Sequence, residues 1–161
     1  MNISKIQIVE IVGVISVALS LLFVAYQIQQ TNQIAIVSAE IEIRNNYSDL
    51  NEAMFSDREL AALIERSSDP TFRPEVGELT QLRSFAFRFM NIWLASEIAF
   101  KNGMLPESSY KIVLNDIKYL LETAPYLQNQ FREILDNYPG WGNTEVAKIL
   151  EKELKRYEAL P

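Results

Sequence analysis

Residues 11–28 read IVGVISVALSLLFVAYQI, eighteen positions without a charged side chain. As a helix rising about 1.5 Å per residue this run extends roughly 27 Å, close to the roughly 30 Å hydrocarbon core of a bilayer. Ile3, Ile6, Ile8 and Val9 lengthen the apolar stretch toward the N-terminus, and Glu10 interrupts it where a carboxylate reaches the headgroups. Nearer the middle that charge costs about 2.5–3.5 kcal/mol. Tyr26, Gln27, Gln29 and Gln30 suit the opposite interface. Three other readings compete. A cleaved signal peptide has a shorter apolar region and a small-residue cleavage site just behind it. Val37-Ser38-Ala39 fits that pattern but lies too far past Ile28. A buried core helix rarely needs this length without a charge, and an interfacial helix needs a strongly polar face. The run reads as a single-pass transmembrane anchor in contact with the lipid bilayer.

One face of the run is polar or small. Glu10, Gly13, Ser16, Ser20 and Gln27 fall near one helical stripe. Small residues let membrane helices approach closely, and serines can hydrogen-bond across the contact. The stripe is the candidate docking face for another membrane helix. The bulkier face of Ile11, Ile15, Leu19, Leu22 and Phe23 suits lipid.

The chain has 161 residues, enough beyond the anchor for one modest domain. Hydrophobic residues make up 48% and charged residues 22%, with few Gly and Pro, which is a globular helical balance. The net charge of −6 argues against nucleic acid as a partner and against electrostatic adhesion to anionic lipid, so the span must anchor the chain. Cysteine and histidine are both missing. Disulfides, thiol chemistry, the commonest general base and the commonest transition-metal ligand go with them.

No Pro or Gly occurs between Gly13 and Pro70, so the span should continue as helix to about Phe55. Ile34, Val37, Ile41 (with Ile43 near it), Tyr47 and Leu50 (with Met54) recur at helical spacing as its apolar stripe. Ser56-Asp57-Arg58-Glu59 reads as a capping box opening a short helix, Asp57 to Arg66. A long helix is expected from Pro74 to Asn102, with Leu79, Leu82, Phe85, Ala86, Phe89, Trp93 and Phe100 on its apolar stripe and Gly103 as the stop. Pro106 opens the next helix, with Ile112, Val113, Ile117, Leu120 and Leu121 inward, and Pro125 opens another. Pro139-Gly140-Trp141-Gly142 is a tight loop, and Asn143 caps a last helix. The expected fold is all-α: residues 1–30 a transmembrane anchor, 31–55 a juxtamembrane helix continuing it, and 56–161 a small antiparallel helical bundle.

No motif for phosphate binding, nucleophilic catalysis or metal hydrolysis is present. Glu151 and Glu153 are the best-spaced carboxylates, but they face different ways and read as a solvated face between lysines. Glu97 stands out one turn after Trp93 on the apolar stripe, suited to pairing with an arginine of the bundle or to a ligand. Asn91 is its polar companion as a candidate ligand contact. Phe87 falls off the stripe, either an exposed partner contact or packed on the juxtamembrane helix, and Trp141 lies between two glycines, either a plug over the bundle end or a contact with the membrane surface or a partner.

Two segments resemble a broad group of uncharacterised bacterial membrane-anchored helical proteins. Glu10-Ile11-Val12-Gly13, the span and Tyr26-Gln27-Ile28-Gln29-Gln30-Thr31-Asn32 are similar to that group's Glu-Ile-Ile-Gly, apolar run and Gln-Ile-Arg-Gln-Asn-Thr. Arg88-Phe89-Met90-Asn91 and Gly103-Met104-Leu105-Pro106-Glu107 are similar to its Arg-Phe-Glu-Asn and Gly-Leu-Leu-Asp-Glu. The resemblance implies a one-span anchor with a helical domain and implies no activity. This chain departs from the pattern at Met90, where the group has Glu, and at Gln29, Gln33 and Ile36, where basic residues are usual. Basic residues mark the cytoplasmic side. The resemblance places the domain in the cytoplasm, whereas Lys5 ahead of the span and the lack of a basic residue until Arg44 lean the other way.

These readings lead to a non-catalytic, single-pass protein of the bacterial inner membrane, without cofactor or metal, with the domain assigned to the cytoplasm on resemblance. It is expected to serve as an accessory or scaffold subunit that docks through its span on a larger integral membrane protein, with self-association left open. The alternative is a membrane-tethered ligand-binding or sensory module.

Overall fold

The computed structural model describes residues 5–69 and 71–158. Ile3, Pro70 and the side chains of Lys5 and Ile6 lie outside the described residues. Helix α1 spans Lys5–Ser56 without a break. Its 52 residues reach about 78 Å at 1.5 Å each. Five further helices follow: α2 (Arg58–Arg66), α3 (Val76–Lys101), α4 (Glu107–Thr123), α5 (Pro125–Asn137) and α6 (Glu145–Glu158), with a 3₁₀ turn at Pro139–Trp141. No strand occurs among the described residues.

From Gln7 to Ile34 every side chain of α1 is exposed. The last twenty pack on the other helices. Helix α3 is central and meets each of the other five. Leu82, Ala86, Met90 and Trp93 on it are fully buried. Trp93 stacks on Phe131 of α5 at 5.2 Å between ring centres and lies 5.6 Å from Phe89. Helices α1 and α3 run in opposite directions: Ala53 shares a groove with Phe85, Leu50 shares the next with Ile92, and Ala39 packs where Ala99 lies. Met90 is part of the core, so the position where the resembling group carries Glu is apolar here for a packing reason.

Several local expectations are corrected. The stripe Ile34–Val37–Ile41 does not face the bundle; these side chains are 60%, 54% and 53% exposed. The packed face instead carries Ile43, Tyr47, Leu50 and Met54, with Ala39 beside them. Residues 34–54 hold two apolar stripes, and the bundle covers only one. Ser56 ends α1, its hydroxyl donating to the Glu52 carbonyl, and Asp57 is the true cap of α2, accepting from the Glu59 and Leu60 amides at 2.9 and 3.0 Å. A single residue in extended backbone therefore separates two helices. Helix α3 starts at Val76, not Pro74, because the Glu75 amide donates to the Glu78 carboxylate at 2.9 Å. Ile112 is 69% exposed, and Tyr110 takes an inner position on α4 in its place. Glu153 is buried, not solvated, with its carboxylate 3.5 Å from Arg156. Thr144, not Asn143, caps α6, its hydroxyl accepting from the Ala147 amide at 3.1 Å.

Candidate functional site

The long helix has a packed face and an uncovered one. On the bundle side, Glu40 accepts from the Ser109 hydroxyl at 2.6 Å, and Tyr47 donates to Asp116 at 3.0 Å. The same Asp116 oxygen accepts from the Trp93 indole N–H at 3.0 Å. One carboxylate thus ties α1, α3 and α4 together at the centre of the fold. Burial, followed by the Asp116 charge, pushes the Tyr47 hydroxyl far above its ordinary range. Asp116 escaped the sequence reading, although a signal was present. It lies three residues after Val113 and four before Leu120, a lone acid on an apolar stripe.

On the opposite side, Glu10, Gly13, Ser16, Ser20 and Gln27 are all exposed along α1. A Cβ added to Gly13 would meet no atom within 4 Å. The Ser16 and Ser20 hydroxyls donate to the Val12 and Ser16 carbonyls, each at 2.8 Å. Their donors are spent inside the helix, so the stripe presents small side chains without a free hydroxyl donor.

Glu97 is buried at 2% exposure, and its oxygens are fully engaged. One accepts from Lys101 at 2.5 Å and from the Glu145 amide at 2.9 Å; the other accepts from the Val146 amide at 2.8 Å. The partners are a lysine one turn on and the N-terminus of α6, not an arginine. Two of the four orphan amides of α6 are satisfied this way, and the carboxylate sits at the positive end of the helix dipole. Burial raises the Glu97 pKa, but Lys101 and the two amides outweigh it and hold the carboxyl below its ordinary value. Nearby, burial and then the charges of Glu97 and Glu145 push the Tyr110 hydroxyl up to about 12. Tyr110 stacks on Phe100 at 4.5 Å, and its hydroxyl oxygen has no hydrogen-bond partner.

Phe87 and Trp141 are brought together. Phe87 meets Tyr138 edge-on at 5.4 Å and Trp141 at 6.3 Å, and Tyr138 stacks on Trp141 at 5.0 Å. The trio closes the junction between α5, the 3₁₀ turn and α3. Asn91 is separate. It lines an open cleft of about 410 Å³ between α1 and α3, with Asn46, Asp49 and Arg88 over a floor of Leu50 and Ile92. Among the described residues, no three carboxylates converge as a metal site.

No known protein family, curated protein or solved structure matches the chain.

Proposed function

We propose that this chain is a non-catalytic, single-pass protein of the bacterial cytoplasmic membrane that serves as a scaffold or accessory subunit of a larger membrane assembly. The observation that carries the reading is α1 itself: one rigid helix whose first half is apolar and uncovered and whose second half is built into a bundle. From Ile28 at the end of the apolar run to Glu40, where the bundle takes hold, the helix climbs about 18 Å. A spacer without Pro or Gly holds the domain at a set height and orientation. The conspicuous polar groups of the bundle support the same reading, since Glu97, Asp116 and Glu40 each secure one helix to another.

The partner is engaged through the outer face of α1, with the domain on the cytoplasmic side. Gentle detergent extraction followed by mass determination tests this. The expected species is a complex; migration as a lone 18.5 kDa chain under conditions that preserve complexes refutes it. The ligand-binding alternative rests on the cleft lined by Asn91 and Arg88, which is open to solvent and two-sidedly polar.

A further inference from the structure

The outer face of α1 continues beyond the apolar run. Gly13, Ser16, Ser20, Phe23, Gln27, Gln30, Ile34, Val37 and Ile41 follow one another at alternating steps of three and four, and all are exposed. A mean step of 3.5 is shorter than the 3.6 of a lone helix. It keeps one seam facing a second helix along a left-handed pair. Ile34, Val37 and Ile41 stand beyond the interface residues Tyr26 and Gln27, so lipid tails do not cover them, and the bundle packs on the other side of the helix. The next position of the series is Arg44, where the apolar seam stops.

We propose that the occupant of this face is a second copy of the chain, packed parallel and in register from Gly13 to Ile41. The inference rests on the membrane-anchor reading and specifies the first partner in the assembly. Two copies anchored in one bilayer in one direction present the same residues at the same height, so the seam is its own complement. Charge points the same way. The chain carries a net charge of −6, yet residues 11–39 contain no charged side chain, so this face adds no charge repulsion between copies. In a parallel pair the flanking positions bring Gln33 against Ser38 of the second copy, and like charges first meet just beyond the seam, at Arg44.

The chain has no cysteine, so the test is a single-cysteine scan of the full-length protein in isolated membranes. Ile34→Cys, Val37→Cys and Ile41→Cys are compared with Asn32→Cys, which is exposed on the far side of the helix. All four positions are exposed or unpacked, so the substitutions leave the bundle intact. Disulfides need Cα atoms within about 7 Å, and only a parallel, in-register pair brings all three pairs of identical residues that close. Under mild oxidation, the three seam variants should give severalfold more product at twice the chain mass than Asn32→Cys. Membrane-embedded protein without that excess, or with seam cysteines linked only to a different protein, overturns the second copy and leaves the anchor standing. Release of the chain by alkaline extraction overturns the anchor and the pairing together.

Discussion

Glu97→Gln isolates the buried carboxylate that joins α3 to α6. The substitution preserves shape but leaves one acceptor oxygen where two were used, and its amide group faces a backbone N–H. One charge-assisted hydrogen bond to the Glu145 or Val146 amide is lost, worth about 1.5–3 kcal/mol. The charge at the α6 N-terminus adds up to about 2 kcal/mol in a partly buried setting. The Lys101 ammonium is 59% exposed, so its share is discounted to about 0–1 kcal/mol. The expected loss is about 3 kcal/mol, and Lys101→Ala should cost no more than about 1 kcal/mol. Guanidinium unfolding of the full chain in detergent, followed by the fluorescence of Trp93 and Trp141, measures both. The pH dependence has a definite sign. Glu97 is held below its ordinary value in the folded state, so its stabilisation is complete above that value and fades as pH falls through the folded one. The gap between wild type and Glu97→Gln should therefore be full at neutral pH and shrink below about pH 4. A loss under 1 kcal/mol, or one equal to that of Lys101→Ala, refutes the assignment of Glu97 as the cap of α6.

Tyr47→Phe should destabilise the bundle by about 1–2 kcal/mol, because the half-buried Asp116 loses one of its two donors; the same unfolding assay reads it. Tyr110→Phe should be neutral or stabilising by up to about 1 kcal/mol, since the buried hydroxyl it removes makes no hydrogen bond. A clear destabilisation would show that the hydroxyl is satisfied in solution. Ile43→Ala should cost about 2 kcal/mol of bundle stability and Ile41→Ala less than about 0.5, because only Ile43 packs on the core. Equal losses would reverse the two faces of α1.

The helices were legible wherever local chemistry decides. Pro125 opens α5 at the residue expected of it, and Gly103, with φ of 68°, takes the left-handed backbone that ends α3. The uninterrupted α1 followed from the lack of a breaker. Starts were misplaced where two cap residues stood side by side, as with Ser56 and Asp57 or Asn143 and Thr144. There the choice falls to whichever oxygen reaches the amides.

The sequence by itself determined that the chain is helical, that its first helix is apolar enough to cross a bilayer, and that histidine and cysteine chemistry is absent. These are properties of composition and period. Only the tertiary structure decided which of two apolar stripes on α1 the bundle covers, because both obey the same helical spacing and differ only in what lies opposite. Likewise, only the tertiary structure decided that Glu97 reaches the N-terminus of α6, 48 residues away, and that Asp116 joins Tyr47 to Trp93. A carboxylate on an apolar stripe signals that a partner exists; the partner's identity depends on how helices distant in the chain come to lie side by side.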